Sequence, residues 1–181
     1  MTSAATLERV QTRRLVFERL RMEHLPEISP LLLDPRVAEW LWPHGGPTEQ
    51  DLIDGTRQKE AHWERYGFGI WLLRDIHTGA AVGWGGLQRT YVAELDEVEA
   101  AWAIAPERWG QGLATELAHA SIRTAFRALG LREIIAFTLP HNVASRRVME
   151  KSGFVYEGDI VHALLLHVLY RRRAQQANAS Q

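Results

Sequence analysis

The chain has 181 residues, a net charge of −1 and charged side chains at 24% of its positions. This length most simply forms one domain with a sizeable core, and the balanced charge provides no basic field of the kind that attracts nucleic acid. The sequence contains no cysteine, which excludes disulfides, thiolate metal sites and a cysteine nucleophile.

The chain begins with the polar segment MTSAATLERVQTRR, which lacks the apolar core of a signal peptide. No apolar run approaches the roughly 20 residues that a membrane helix requires. A soluble cytoplasmic protein without membrane contact is therefore the default expectation.

The first third of the chain predicts one strand and then helices. LVFERL, residues 15–20, has strand character, and the apolar residues after it suit a helix that Asp34-Pro35 ends. A short apolar patch at residues 37–41 leads into the turn-rich WPHGGP, and we interpret that stretch as a loop. Thr48 precedes acidic residues and is a suitable N-cap for a second helix that runs to Tyr66-Gly67.

A predicted β-hairpin follows, with strands over residues 68–74 and 80–87 around a tight turn. Three glycines in AAVGWGGL indicate either a bulge, or close approach of another group to the backbone, or plain steric accommodation. Residues 89–96 are interpreted as a polar link to a third antiparallel strand.

The clearest pattern runs from Glu97 to Gly130 and combines a strand, a glycine-bearing loop and a long helix. Apolar residues alternate up to Ile104, and Pro106 ends the pairing because it lacks a backbone donor. The loop WGQGLA leaves the main chain uncovered, so amides at the start of the helix can face an anionic oxygen. Apolar residues then repeat at helical spacing, and Gly130 stands where a left-handed cap belongs.

The rest of the chain predicts a buried strand, a short helix and two further strands. EIIAFTL, residues 133–139, follows the long helix, so this strand is expected to lie parallel to the strand before that helix. Asn142 is placed to cap the short helix, and Ser152-Gly153 is placed to end it. Residues 154–159 and 163–170 complete the sheet.

This order of elements predicts a mixed α/β fold with a mostly antiparallel sheet of about six to seven strands and about four flanking helices. One domain is expected over residues 1–181, with a core at about 12–172 and a polar C-terminal tail at 173–181. The basic run Arg171 to Arg173 is interpreted as part of a solvated chain end.

The glycine loop alone does not identify a ligand, and a strand-to-helix turn without any ligand remains an alternative. A dinucleotide site requires the glycines directly after the first strand and an acidic residue at the end of the next strand. Here three strands precede the loop, and the following strand ends in Thr138-Leu139-Pro140. A P-loop is excluded because no Gly-Lys-Ser/Thr follows.

Two segments resemble the GNAT superfamily of acyl-CoA-dependent N-acetyltransferases, in particular the branch of ribosomal-protein N-terminal (alanine/serine) acetyltransferases. EVEAAWAIAPERWGQGLATEL, residues 97–117, is similar to the family's acetyl-CoA signature, and NVASRRVMEKSGF, residues 142–154, to the helix that closes the cofactor site. HVLYR near the end supports the resemblance, which covers roughly residues 12–172. One departure is Trp109, where the family commonly has Arg or Gln; the phosphate site stays intact because the backbone is the ligand.

The resemblance implies a GNAT-like sheet with a splayed central strand pair, the splay being caused in the family by a bulge in the strand that ends at Ile104. It also implies acetyl-CoA as cosubstrate and no metal. The pyrophosphate would lie on backbone amides at a positive helix end, and the N–H of Ile104 would lie near the thioester carbonyl. Asn142 would reach the pantetheine arm or a trapped water in addition to capping its helix. The implied cofactor-binding residues are Ile104, Trp109, Gly110, Gln111, Gly112, Leu113, Ala114 and Asn142.

The resemblance also implies catalytic residues for direct acetyl transfer. Glu99 is the candidate base, with an exposed strand carboxylate as the alternative interpretation, and Glu97, on the same strand face, is the fallback. Met149 takes the place where many family members have a tyrosine that protonates the leaving thiolate. Ser145, one turn earlier, resembles the serine of the N-terminal acetyltransferase branch, and Tyr156 and Tyr170 are weaker candidates.

The expected partner is an amine acceptor, either a protein N-terminus or a small molecule, with no nucleic acid; a homodimer is an open expectation. Aromatic residues of the first helices would wall the acceptor cleft, and His167 either faces the cleft or is an ordinary packed or surface histidine. Arg108, Arg146 and Arg147 are candidate phosphate contacts, each with a solvated-surface alternative. The competing function is a catalytically weak acyl-CoA-binding regulator that kept the cradle and lost the chemistry. The aromatic and histidine candidates for the acceptor side are Trp40, Trp42, His44 and Trp63.

Overall fold

The structure is a computed structural model that describes residues 5–175. These residues form one eight-stranded sheet in the order β1-β2-β3-β4-β5-β6-β8-β7. The strands are β1 (Arg9–Gln11), β2 (Leu15–Arg19), β3 (Ile70–Asp75), β4 (Ala81–Val92), β5 (Leu95–Ile104), β6 (Glu133–Thr138), β7 (Val155–His162) and β8 (Leu165–Arg173). The α-helices are α1 (Ala5–Glu8), α2 (Leu25–Leu33), α3 (Pro35–Leu41), α4 (Glu49–Tyr66), α5 (Leu113–Arg123) and α6 (Val143–Lys151), and a π-helical turn (Thr124–Ala128) extends α5.

Helices cover both faces of the sheet. On one face, α5, its π-helical extension and α6 bury Leu117, Ala125 and Met149 against the strands. On the other face, α2, α3 and α4 bury residues such as Ile28 and Leu52. All strand pairs are antiparallel except β5 with β6, which is parallel as the long connecting helix predicts.

The glycines of β4 allow close packing. A side chain at Gly83 or Gly85 would place its Cβ 2.4 Å from a carbonyl oxygen of β5, and at Gly85 also 2.6 Å from a methyl of Leu117. Of the interpretations that the sequence left open, steric accommodation therefore explains Gly83 and Gly85. It lets α5, which follows the glycine loop, lie directly on the sheet.

The predicted polar link at residues 89–96 is wrong, because these residues continue the sheet. β4 runs to Val92 and β5 starts at Leu95, and the turn residues Ala93 and Glu94 have φ of 49° and 65°. Positive φ at both residues of a two-residue loop is the geometry that matches the twist of antiparallel strands. Since neither residue is glycine or asparagine, the sequence carried no signal for this turn.

The predicted loop over residues 37–41 is also wrong, because these residues belong to α3. The Asp34 side chain accepts a hydrogen bond from the Arg36 N–H at 2.9 Å, and Pro35 occupies the first turn of the helix. Asp34-Pro35 thus ends α2 and starts α3 at the same point. The prediction for α4 is confirmed: Thr48 and Asp51 form a reciprocal capping box, and Gly67 ends the helix at φ 70°.

Arg171 is part of the fold. The interpretation from the sequence, that it belongs to a solvated chain end, is wrong. Its side chain in β8 is only 7% exposed and contacts three carboxylates: Glu97 at 2.8 Å, Glu133 at 2.8 Å and Glu157 at 2.6 Å. These carboxylates come from three different strands, so one guanidinium ties β5, β6 and β7 to β8. Residues 176–181 of the predicted tail lie outside the described residues.

Candidate active site

The central strands β5 and β6 part in the middle of the sheet. Within the described chain they share one ladder pair, Glu99 with Ile135, after which β5 continues to Ile104 beside β4 alone. The β4–β5 ladder runs from Gly83–Ile104 to Val92–Leu95 without a register shift. The splay is therefore present as predicted, while the expected bulge in β5 does not appear in its pairing with β4.

The hairpin register determines which amides of β5 face the opening. The Ala105 N–H donates to the Val82 carbonyl at 2.8 Å, so alternate residues back along β5 bond to β4. Trp102 and Ile104 lie between these positions, and their N–H groups point toward β6, where the ladder has already ended. The geometry is thus compatible with the prediction for Ile104, whose N–H is free to donate to a group bound between the parted strands.

The glycine loop lies at the end of this opening. Gly110 and Gly112 have φ of 74° and 76°, a left-handed conformation that bare glycine adopts at no steric cost. α5 begins at Leu113 and has no side-chain cap, so its first amides stay available to an anion. The Trp109 indole donates to the Ile104 carbonyl at 2.6 Å and fixes the loop to the end of β5.

Two arginines hold the loop through contacts with Gln111. Arg14 donates to the Gln111 carbonyl at 2.7 Å and to Glu116 in the first turn of α5 at 2.7 Å. Arg108, a candidate phosphate contact, donates to Asp75 at 2.8 Å and to the Gln111 side chain at 3.1 Å. Arg108 is therefore engaged in holding the loop to the β3–β4 turn.

Asn142 caps α6 as predicted, because its side-chain oxygen accepts the Ser145 N–H at 3.0 Å. Ser145 is half-buried in the first turn of this helix. Met149 is 1% exposed and packs in the core, so its position contributes no proton donor. Both tyrosine hydroxyls are already bonded, that of Tyr170 to Glu150 and that of Tyr156 to Asp159.

Glu99 lies at the residue where β5 and β6 part. Its side chain is 8% exposed, and its Oε2 accepts a hydrogen bond from the Gln88 amide at 2.9 Å. Burial raises the pKa of Glu99, opposed by the Gln88 hydrogen bond and the positive charge of Lys59. A carboxyl with a raised pKa that retains an acceptor oxygen is suited to general base chemistry near neutral pH.

Lys59 is the site residue that sequence reasoning missed. It lies on the sheet-facing side of α4, in register with the buried Leu52, Thr56 and Trp63. Its ammonium lies 5.3 Å from the ring centroid of Trp84, and burial lowers the pKa of Lys59. The sequence does contain a signal for Lys59, because a lysine on the apolar stripe of an amphipathic helix is unusual.

Glu97 is not equivalent to Glu99, although the two share a strand face. The carboxylate of Glu97 is occupied by the ion pair with Arg171. Its negative charge is therefore already compensated by a guanidinium at 2.8 Å, which makes it a poorer candidate for the base than Glu99.

The aromatic residues expected at the acceptor side fall into two groups. Trp63 is buried and donates to the Ile70 carbonyl at 2.8 Å, so it belongs to the core and the expectation for it is wrong. Trp42 packs at the margin of the core beneath α2 and α3. Trp40 packs against His141 with ring centroids 5.3 Å apart, and His44 Nε2 lies 3.1 Å from the Ala163 carbonyl. α3 therefore meets the turn before α6 through Trp40, and the loop after α3 meets the β7–β8 turn through His44.

The remaining candidates lie at the edges of the site. Arg146 donates to the Pro140 carbonyl at 3.1 Å and to the Tyr170 hydroxyl at 3.3 Å, whereas Arg147 is exposed on α6. The ring of His167 packs edge-on against Phe137, and burial lowers the pKa of His167. Between residues 5 and 175, no group of three or more His, Asp or Glu side chains could hold a metal ion. In the same range, no helix is long and apolar enough to cross a membrane.

Comparison with known proteins identifies the family. The acetyltransferase (GNAT) domain matches residues 14–155. The FsC-acetyl coenzyme A-N(2)-transacetylase of Aspergillus fumigatus is 34% identical over 155 residues, which cover 81% of this chain and 65% of that protein. A GnaT-family acetyltransferase structure from Bordetella pertussis superposes with a TM-score of 0.80 at 26% identity, covering 91% of this chain and 98% of the other.

The ribosomal-protein branch shares the fold. RimL, the ribosomal L7/L12 alpha-N-protein acetyltransferase solved with coenzyme A, has a TM-score of 0.75 at 17% identity, covering 92% of this chain and 98% of the other. An identity this low supports the fold alone.

This chain belongs to the GNAT acetyltransferase family, whose members use acetyl-CoA as cosubstrate. The predicted family and the mixed, mostly antiparallel fold class are confirmed, with eight strands instead of six to seven. The chain spans just under two thirds of the length of its Aspergillus relative.

Proposed function

We propose that this chain transfers the acetyl group of acetyl-CoA directly to a primary amine, either a protein N-terminus or a small molecule. The observation that carries the proposal is the position of Glu99. This buried carboxylate lies where β5 and β6 part, on the strand that leads into the glycine loop. A base, an open strand edge and a set of helix amides therefore follow one another along a single segment.

The glycine loop and the start of α5 are proposed to hold the cosubstrate's pyrophosphate. The amides of Gly110, Gln111 and Gly112 are uncovered by side chains, and those of Leu113 and Ala114 begin a helix with no side-chain cap. Backbone donors at a positive helix end suit phosphate oxygens. Trp109 keeps the loop in place. Asn142 caps α6, and we propose that it also reaches the pantetheine arm or a trapped water.

The chemistry proposed for the site needs three contributions from the protein. Glu99 takes a proton from the amine, directly or through water, so that the nitrogen lone pair can attack the thioester carbon. The Ile104 N–H donates to the carbonyl oxygen, which gains negative charge as the carbon–nitrogen bond forms. Ser145 or a water returns a proton to the departing thiolate.

The cradle is tested by placing a negative charge in the glycine loop. Gly112→Asp is expected to weaken acetyl-CoA binding at least 100-fold in calorimetry, because the carboxylate repels the pyrophosphate and covers the amides. Gly130→Asp is the matched control: its φ of 67° is similar to the 76° of Gly112, and it follows the opposite end of the same helix. Retained binding by Gly112→Asp would remove the cradle assignment.

A turnover assay distinguishes the proposed acetyltransferase from the competing function, an acyl-CoA-binding regulator. We expect wild-type protein to release coenzyme A from acetyl-CoA with at least one amine in a panel of amines and N-terminal peptides, followed as free thiol. Micromolar acetyl-CoA binding without turnover on any of them would favour the regulatory alternative.

A further inference from the structure

Three polar groups with unused bonding capacity meet on the sheet face beneath α4. Trp84 is 7% exposed, and its indole N–H is buried without a hydrogen-bond partner among the described residues. The Lys59 ammonium has one long contact, 3.5 Å to the Gly55 carbonyl, and lies over the Trp84 ring. Glu99 uses its Oε2 for Gln88, so its Oε1 remains to accept. A buried donor without a partner is costly, which makes this cluster unusual for a structural core.

The strand register leaves space between these groups. Trp84 pairs with Ala103 and Gln88 pairs with Glu99, so all four side chains lie on one face. Between them the ladder pairs Gly86 with Ala101, which together contribute nothing larger than one methyl group. The Cα atoms of Glu99 and Ala103 are about 13 Å apart at 3.3 Å per strand residue. Long side chains at both ends can thus face a small ligand that lies over Gly86 and Ala101.

A cavity of about 140 Å³ adjoins the cluster, and Lys59, His62, Gln88 and Arg89 line it together with Gln58 and Ile70. An engineered cavity of about 150 Å³ holds a benzene molecule, so this one has room for about six non-hydrogen atoms. It has room for the amine-bearing end of an acceptor.

The charges facing the cluster come from each element that packs around it. His62 on α4 accepts the Arg89 N–H at its Nε2, so its Nδ1 carries the proton that bonds the Phe68 carbonyl and the ring is neutral. On β4, the Arg89 side chain reaches Asp96 at 3.5 Å, and on β5, Glu97 is paired with Arg171. Lys59 and Glu99 therefore remain as one basic and one acidic side chain without a saturating partner, and they form a cation and an anion when ionised.

This pair of charges is complementary to a zwitterion. An ammonium approaching Glu99 brings its positive charge toward Lys59, and a carboxylate on the next carbon compensates that repulsion by bonding Lys59 and the Trp84 N–H. A simple amine or a polyamine supplies no anion and leaves Lys59 facing a second cation.

We propose that Lys59, Trp84 and Glu99 form an acceptor site for an α-amino acid, with the amine on Glu99 and the α-carboxylate on Lys59 and the Trp84 indole. This inference rests on the proposed acetyl transfer and specifies the substrate class of that same site. The products are then an N-acetylamino acid and coenzyme A, and the proton from the amine leaves through Glu99. Lys59 also acts as a positioning residue, since its charge favours the ionised form of Glu99.

The test compares acceptors that differ only in the carboxyl group. Amino acids, their amides and their decarboxylated amines, such as tryptophan, tryptophanamide and tryptamine, are assayed side by side for kcat/KM. For at least one amino acid we expect kcat/KM at least 10-fold above that of its decarboxylated amine, with the amide in between. With both proteins assayed at a pH above the acidic limb of each profile, Lys59→Met is expected to lower kcat/KM for the amino acid 10- to 100-fold and to change the amine less than 3-fold.

Two further variants separate recognition from folding. Trp84→Phe keeps the ring and removes the N–H, so the loss should fall on the carboxylate-bearing acceptors. Lys151→Met, at the exposed end of α6, is the matched control and should match wild type. An amine or amide acetylated as fast as the amino acid, or an equal loss on all acceptors in Lys59→Met, would overturn the acceptor class while acetyl transfer stands.

A binding measurement keeps the inference testable if no acceptor turns over. Calorimetry of amino acids against wild-type protein saturated with coenzyme A should give binding that Lys59→Met weakens at least 10-fold. Such binding without turnover would remove the proposed function and support the amino-acid site, whereas no amino-acid binding by the wild type would overturn the site.

Discussion

Glu97 and Glu99 lie two residues apart on the same face of β5, yet their surroundings differ. Glu97 is bonded to Arg171, whose guanidinium also holds Glu133 and Glu157. Glu99 faces an amide and a lysine that has only one long hydrogen bond. The Arg171 guanidinium has three carboxylate partners, whereas the Lys59 side chain has only its one long hydrogen bond.

The difference separates a structural carboxylate, Glu97, from Glu99, the carboxylate that we propose as the base. A charge pair with every bond satisfied holds strands together and has nothing left to offer a ligand. A buried carboxylate whose pKa is raised and whose neighbours lack partners is a costly arrangement, and such arrangements concentrate at functional sites. Strand alternation gives both residues the same face, so their different roles come from what packs above them.

The largest expected effect is the loss of activity in Glu99→Gln. Removing the base should lower kcat/KM by about 10²- to 10⁴-fold, the usual contribution of a positioned general base. The substitution should also remove the acidic limb of the pH–rate profile. In the wild type this limb is expected above the ordinary range for glutamate, because burial raises the pKa of Glu99. Lys59→Met should move that limb to higher pH, because the loss of a nearby cation raises the pKa further.

Glu97→Gln is the control for this experiment, since it makes the same chemical change two residues away. It should keep the acidic limb and most of the activity. An unchanged profile in Glu99→Gln would exclude Glu99 as the base, and loss of the limb in Glu97→Gln would reverse the comparison.

Next in size is the stability effect of Arg171→Met. Three carboxylates would lose their shared partner, and that of Glu97, only 13% exposed, would lose its ion pair, so we expect a loss of about 3 kcal/mol in the free energy of unfolding. Urea denaturation at pH 7 measures it. Arg173→Met is the control: Arg173 contacts Glu133 and Glu157 but is 68% exposed, so its loss should cost about 0.5 kcal/mol or less. Equal losses in both variants would contradict the structural role of Arg171.

Local patterns predicted much of the fold and of the cofactor side of the site. The capping residues Thr48 and Asn142, the glycine loop and the parallel step from β5 to β6 follow from signals a few residues long. Such elements depend on short-range backbone chemistry that one sequence displays directly. Glu99 was chosen as the candidate base from the family resemblance, and its role remains a prediction.

The errors arose where tertiary context decides. Ala93-Glu94 and Ala163-Leu164 form turns at positive φ with no glycine or asparagine to announce them. Arg171 has its carboxylates on distant strands, so its sequence neighbours gave the wrong impression of a solvated end. Lys59 was visible as a charge on an apolar helix stripe, but its meaning depends on Trp84 and Glu99, which only the fold brings beneath it.

A third carboxylate, Asp75, gives the smallest and most pH-specific test. It accepts hydrogen bonds from Arg108, His77 N–H and Thr78 N–H, which lower its pKa from 3.8 to about 2. A lowered pKa stabilises the fold at pH values above 3.8, and this contribution disappears as the pH falls toward 2. The shift is opposite in sign to that of Glu99, whose ionisation costs stability as the pH rises.

Asp75→Asn should therefore lower the Tm at pH 7, and its difference from wild type should shrink when both proteins are melted at successively lower pH below 4. Asp96→Asn is the control, because Asp96 is 72% exposed and 3.5 Å from Arg89, so its Tm should stay near wild type throughout. A Tm difference for Asp75→Asn that does not vary with pH would mean that the Arg108 pair contributes through packing and not through charge. Asp75 would then no longer belong with Glu97 as a carboxylate that stabilises the fold by being ionised.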